Sequence, residues 1–193
     1  MSNDLMTRIR TQLLESAAVK QQTAQLCAQD IARAASVVAD TFRRGGKMLL
    51  CGNGGSAADA QHIAGELVAK LARERPALAA IALTVNSSLL TGLVNDGDPE
   101  CVFALQVEAL GQRGDVLFAI STSGNSANVN QAARVAREKG LQVIALTGKG
   151  GGQLASLADV SVVIPSENTQ RIQEGHIAVG HILCDLVEVA LFD

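Results

Sequence analysis

Apolar positions recur at helical spacing through residues 3 to 44, first as Ile9, Leu13, Leu14 and Ala17 and then as Ile31, Ala34, Ala35 and Val38. No turn cluster there is long enough to bound a strand, so two helices are expected. After Gly45-Gly46 the texture changes. Lys47 to Cys51 is a short apolar run, followed by Gly52-Asn53-Gly54-Gly55-Ser56 and a helical pattern from Ala57 to about Leu71. The same grammar returns in Ala79 to Thr84, in Val116 to Ile120 before Ser121-Thr122-Ser123-Gly124-Asn125-Ser126, in Val143 to Leu146 before Thr147-Gly148-Lys149-Gly150-Gly151-Gly152, and in Val160 to Ile164. These runs are apolar throughout instead of alternating, and helices separate them, so a parallel sheet covered on both faces is the natural solution. The expected fold class is α/β: a doubly wound, flavodoxin-like five-stranded parallel sheet with two N-terminal helices. A closing helix from about Thr169 to Leu191 has too many apolar positions for one narrow stripe and is expected to be buried, in part against a second subunit. No linker or repeat divides the chain. One domain over 1–193 is expected, with 1–45 a helical extension and 46–193 the α/β core and last helix.

Composition narrows the functions. At 193 residues and 48% hydrophobic the chain is not mainly disordered, and a net charge of −3 supplies no basic surface for nucleic acid or an anionic membrane. Without Trp or Tyr there is little to stack bases on, so ligand recognition is expected to be polar. The four cysteines, Cys27, Cys51, Cys101 and Cys184, form no C-x-x-C pair and read as small buried hydrophobes. The first residues contain no apolar leader, and the apolar C-terminal stretch is interrupted by His181, Asp185 and Glu188. A cytoplasmic protein is the expectation.

The candidate chemistry follows from the fold class. Loops leaving the carboxyl ends of parallel strands line the ligand crevice, and the helices after them aim free N–H groups into it. The Ser121–Ser126 loop offers four hydroxyls, from Ser121, Thr122, Ser123 and Ser126, around the flexible Gly124, which suits the phosphate of a small molecule. A turn in which Ser126 merely caps the next helix is the competing reading. Gly52-x-Gly54-x-x-Ala57 resembles a dinucleotide fingerprint, but the acidic residue expected at the end of the next strand is missing from Ala79 to Asn86, and there is no Walker motif. His62 and Glu66, four apart, share one helix face and form either a metal pair or a salt bridge. Gln173, Glu174, His176 and His181 stand on the apolar last helix, where a polar group needs a partner; for His176 a structural role is favoured. On one regular helix Gln173 and His181 are separated by roughly 12 Å of rise, too far to share one ion; if both serve one metal, Gln173 lies at the helix mouth or the two come from different subunits.

These residues carry a resemblance. Cys51-Gly52-Asn53-Gly54-Gly55-Ser56-Ala57-Ala58-Asp59-Ala60-Gln61-His62, Asn95-Asp96, Ile120 to Ser126, Leu146-Thr147-Gly148 and Arg171-Ile172-Gln173-Glu174 resemble the phosphoheptose isomerase family of sugar isomerase (SIS) domain proteins. The resemblance implies conversion of sedoheptulose 7-phosphate to D-glycero-D-manno-heptose 7-phosphate, the first step toward the nucleotide-activated heptoses of bacterial surface polysaccharide. It implies a cytoplasmic homotetramer with sites at subunit interfaces and one zinc per subunit held by His62, Glu66, Gln173 and His181. Substrate contacts would come from Asn53, Gly54, Ser56, Glu66, Asn95, Asp96, Ser121, Thr122, Ser123, Ser126 and Gln173. Moving a proton between adjacent carbons through an enediol needs a base and an acid, and these are expected to be Glu66 and His181. A metal-bound carboxylate is a poor base, so Glu66 is expected to change role when substrate arrives. The chain departs from the family pattern at Gln170, at Gly97-Asp98-Pro99 and at Ala104-Leu105. A noncatalytic SIS protein that binds a replication initiator, or one that senses a sugar phosphate, is the alternative; the presence of His62, Glu66, Gln173 and His181 together favours the enzyme.

Overall fold

The structure, a computed structural model, describes residues 2–193. Two helices, α1 (Ser2–Leu26) and α2 (Ala28–Arg43), precede the alternating core. That core runs β1 (Met48–Gly52), α3 (Gly55–Val68), β2 (Ala80–Ala82), α4 (Ser87–Asn95), α5 (Ala104–Leu110), β3 (Val116–Ser121), α6 (Ala127–Glu138), β4 (Gln142–Thr147), α7 (Gly152–Leu157), β5 (Val160–Val163) and α8 (Thr169–Phe192). All strand pairs are parallel, in the order β2-β1-β3-β4-β5. This is the doubly wound sheet expected from the apolar runs.

The continuous apolar character of the strands has a direct cause: alternate side chains enter two different cores. Met48, Leu50, Val116, Phe118, Ile120, Ile144 and Leu146 face the layer of α2, α3 and α8. Leu49, Cys51, Leu117, Ala119, Val143 and Ala145 face the layer that supplies Val107, Val129, Ala132 and Leu154. No strand position of β1 or β3 reaches solvent, so none can be polar without a partner.

Boundaries differ in instructive places. The second strand is three residues instead of the six expected over Ala79 to Thr84, because it lies at the sheet edge with only β1 to pair with. Helix α3 begins at Gly55, two positions before the expected Ala57, and ends at Val68 instead of near Leu71. In α1 the apolar stripe exists but meets nothing in the protomer: Leu5, Met6, Ile9, Leu13 and Leu14 are all exposed, Leu14 to 70%. Helix α8 is, among the described residues, the one helix long and apolar enough to cross a membrane, yet Ile172, Val179, Leu183, Cys184 and Val187 are buried against the sheet and its neighbouring helices. It is a core helix here.

Candidate active site

The site grows from the carboxyl edge of the sheet. In the order β2-β1-β3, the chain leaves β1 toward one side and β3 toward the other, so a crevice opens between their loops. Gly52 lets β1 turn sharply into α3, since a Cβ there would lie 2.7 Å from the Ser56 carbonyl oxygen. Ser56 is thereby buried at the start of α3, while Asn53 and Gly54 stay exposed at the rim. Across the crevice β3 runs into Ser121, whose Oγ lies 2.9 Å from Ser126 Oγ. Ser126 is the N-cap residue of α6, but its hydroxyl makes no capping bond, so the capping reading is not how it is used. Thr122 and Ser123 are half-buried beside it, and Ser123 Oγ accepts from the Asn125 amide.

Gly124 has a φ of +66°, and a Cβ there would sit 1.9 Å from the Gly151 carbonyl oxygen. The loop after β4 braces it: Leu154 N–H donates to the Gly124 carbonyl at 2.9 Å, and Gln153 N–H to Asn125 Oδ1 at 3.0 Å. The two rims are also tied. Asn53 and Asn128 exchange amide hydrogen bonds, Nδ2 to Oδ1 at 2.9 Å and back at 3.0 Å. Asn128 was not among the sequence candidates; its place in the first turn of the helix after the serine loop is the signal that points to it. Asn95 and Asp96 stand exposed where α4 ends, with the Asn95 amide donating to Asp96 Oδ1.

The second half of the site is a seam between α3 and α8, which run side by side in one direction. Three contacts mark the common advance. Gln173 lies against Gly55, where a Cβ would meet its Nε2 at 2.5 Å; Ile63 lies against Gly180, where a Cβ would meet its Cδ1 at 2.6 Å. Farther on, the Leu71 amide donates to Glu188 Oε1 at 3.0 Å. The bare Gly180 backbone brings α8 close enough for His181 to reach α3. There His181 Nε2 lies 2.8 Å from His62 Nε2, with the ring planes at 73°, and His62 Nε2 lies 3.2 Å from Glu66 Oε1.

His181, Glu66 and His62 therefore meet within one protomer, and neither imidazole has to come from a neighbour. Gln173 does not join them. Eight positions earlier on α8, its amide rests against Gly55 at the start of α3, roughly 12 Å of helix rise from His181. That places Gln173 at the mouth of α8, on the side of the serine cradle.

The three remaining ligand atoms lie within 4.8 Å of one another. Two imidazole nitrogens this close must share one proton or turn both lone pairs toward a cation. Two nitrogens and one carboxylate oxygen with a position left open are the donor set of a catalytic zinc site, so the residues fit such an ion. Asp59, one turn before His62, has its carboxyl raised above the usual range by partial burial, which the nearby His62 opposes. His176 is fully buried, its Nε2 donating to the Thr147 carbonyl at 3.1 Å, in keeping with a structural role. All four cysteines are free; Cys101 alone is only partly buried.

The SIS domain family model matches residues 13–148. The chain is 54% identical over 175 residues to the phosphoheptose isomerase of Roseiflexus sp. (strain RS-1), covering 91% of this chain and 89% of that one. It is similar in structure to phosphoheptose isomerase from Neisseria gonorrhoeae, at 44% identity and a TM-score of 0.91 over 96% of this chain and 99% of that one. A phosphoheptose isomerase from Francisella tularensis gives 38% identity and a TM-score of 0.92 over 95% and 98%. With a crevice, a serine cradle and a His-Glu-His cluster built on this sheet, the chain belongs to the SIS-domain family and, within it, to the phosphoheptose isomerases.

Proposed function

We propose that this chain interconverts sedoheptulose 7-phosphate and D-glycero-D-manno-heptose 7-phosphate, with Glu66 and His181 as the proton-transfer pair. The observation that carries the assignment is the meeting of His62, Glu66 and His181 atoms within 4.8 Å, on helices that also border the Ser121–Ser126 loop's crevice. The substrate's phosphate on carbon 7 and its reacting carbons 1 and 2 are at opposite ends, so cradle and base must be held apart. Gly55, at the rim, and His62 are separated by about 10 Å of helix rise.

Glu66 takes the proton from carbon 1 while the carbonyl oxygen on carbon 2 gains one, giving the enediol; return of a proton to carbon 2 and loss of one from the carbon 1 hydroxyl give the aldose. His181 moves the proton between the two oxygens. His62, Glu66 and His181 would hold a zinc ion, one per subunit, whose charge would polarise those oxygens, and Glu66 acts as the base only after giving up its ligand role when substrate arrives. Ser121, Thr122, Ser123 and Ser126 bind the phosphate with the N-terminal amides of α6, and Ser56 lies close to it. Asn53, Gly54, Asn95, Asp96 and Gln173 orient the sugar chain.

The exposed α1 stripe supports a homotetramer with sites at subunit interfaces, because a stripe of five large apolar side chains left in water favours association with copies of itself. Four unpaired cysteines fit the reducing cytoplasm, where the nucleotide-activated heptoses of surface polysaccharide begin. The test is incubation with sedoheptulose 7-phosphate, with and without zinc and a chelator, following the aldose by NMR. The expected result is aldose signals that chelation removes and zinc restores. No aldose under any metal condition would move the chain to a sugar-phosphate sensor or a noncatalytic tetramer.

A further inference from the structure

We propose that Arg75 and Glu188 are positioning residues for the isomerisation: a buried ion pair that caps the end of α3 and locks the register in which Glu66 faces His181. The inference rests on the reading of Glu66 and His181 as the reacting pair. An α-helix ends with carbonyls that have no partner of their own, and α3 ends at Val68, two residues after Glu66. Arg75 supplies donors there, beside the Leu78 amide that donates to the Leu67 carbonyl at 3.1 Å. Its Nη2 donates to the Glu66 carbonyl at 2.8 Å and its Nη1 to the Leu67 carbonyl at 2.8 Å. The first of those carbonyls belongs to the proposed base itself.

The guanidinium is in turn held from α8. Arg75 Nε lies 2.9 Å from Glu188 Oε1, and the two side chains are 1% and 0% exposed. Glu188 also accepts from the amides of Leu71 and Ala72, just past the end of α3, and the Phe192 ring lies 6.0 Å from the guanidinium carbon. Burial pushes the Glu188 carboxyl up, but these amides and Arg75 outweigh it and hold the carboxyl below its ordinary range. Seven positions separate His181 from Glu188, two turns of α8, so both lie on the same helix face. One helix thus presents His181 to the α3 face that carries His62 and Glu66, and two turns later it holds the Arg75 cap of that same helix. A buried charge pair is costly to desolvate, and apolar residues of equal volume would serve simple packing at least as well. What the pair adds is a fixed axial position of α3 on α8.

The test combines Arg75→Met with Glu188→Leu, which removes both charges, and sets it beside Arg75→Lys, which keeps the charge but lacks the fork that reaches both carbonyls and the carboxylate. The expected double variant is folded by circular dichroism, has kcat lowered ~10–100-fold, and keeps KM for sedoheptulose 7-phosphate within about threefold. With only three histidines in the chain, the side-chain NMR signals of His62 and His181 provide a second readout, and their response to added zinc alone should weaken in the double variant. Arg75→Lys should fall between it and the parent. A folded double variant with parental kcat and parental zinc response overturns the inference; if the double variant does not fold, a fully active Arg75→Lys does so. Glu66→Gln run alongside separates the two layers. An inactive Glu66→Gln beside a fully active double variant removes only the positioning role, whereas a fully active Glu66→Gln removes the site reading itself.

Discussion

At the sheet's carboxyl edge the Ser121–Ser126 loop is shaped by backbone, with Gly124 in a left-handed conformation against Gly151 and its hydroxyls clustered within a few residues. Along the α3–α8 seam only the His62–Glu66 pair is local: His62 and His181 are 119 positions apart and meet because two helices share an axis direction and a glycine contact. One region is a motif and the other is a register. The proposed function also gives them different targets. On the proposed function the cradle would hold a phosphate whose charge does not change during the reaction, and so would bind ground state and transition state alike. The seam, on the same proposal, would address the proton and the oxygens that change, and its contribution would belong in the transition state.

That division predicts how each region fails. Glu66→Gln keeps the size and the hydrogen-bonding oxygen but cannot accept the proton, so kcat should fall ~10²–10⁴-fold with little change in KM, measured by the rate of aldose formation. Near-parental turnover in this variant would remove Glu66 as the base. Ser121→Ala takes away one hydroxyl from the cradle, and loss of a hydrogen bond to a charged group should lower kcat/KM ~10–100-fold, carried by KM. Because Ser121 Oγ and Ser126 Oγ bond each other, removing both should cost less than the product of the single effects. A Ser121→Ala enzyme with low kcat and unchanged KM would break the comparison, since it would place the cradle in the chemistry.

How much could be read beforehand follows the same line. The sheet was legible because short, mostly apolar runs separated by helical stretches and bounded by glycine clusters fit strands covered on both faces, and the cradle because glycine and hydroxyl clusters after such runs fall at the carboxyl edge. His62 and Glu66 were legible as a pair, since i,i+4 spacing sets their common face. His181 could be placed beside them by resemblance only; helical spacing within α8 says nothing about which helix lies opposite. Gln173 shows the converse: arithmetic along one regular helix set it roughly 12 Å from His181 and left the helix mouth or a second subunit as ways to share an ion, but did not show that it rests on Gly55. Glu188 was visible as a charge interrupting an apolar stretch, yet its partner Arg75 lies 113 positions away in an irregular segment with no pattern to announce it. The α1 stripe was legible as a helix, and its lack of cover in the protomer was not, because periodicity marks an apolar face without saying what meets it.

The smallest effect tests the joint between the two regions. His176 sits on α8 between Gln173 and His181, and its Nε2–H donates to the carbonyl of Thr147, where β4 ends and the glycine loop bracing the cradle begins. Burial pulls its pKa down from 6.5 to about 4, and the bond to Thr147 opposes this only in part. A histidine lowered in this way is neutral when folded, so the stability it contributes is fully present above the unfolded value of 6.5 and drains away as pH falls toward 4, because the unfolded chain takes up the proton first. At about pH 5.5 the loss should be about 1.4 kcal/mol relative to neutral pH. Urea unfolding at fixed protomer concentration measures it directly. His176→Gln retains an amide donor without the titration, so its unfolding free energy should change less than the parent's between neutral pH and about pH 5.5, by that same amount. Equal changes in parent and variant would assign the acid sensitivity to other groups and leave α8 and the cradle edge without a proton-linked tie.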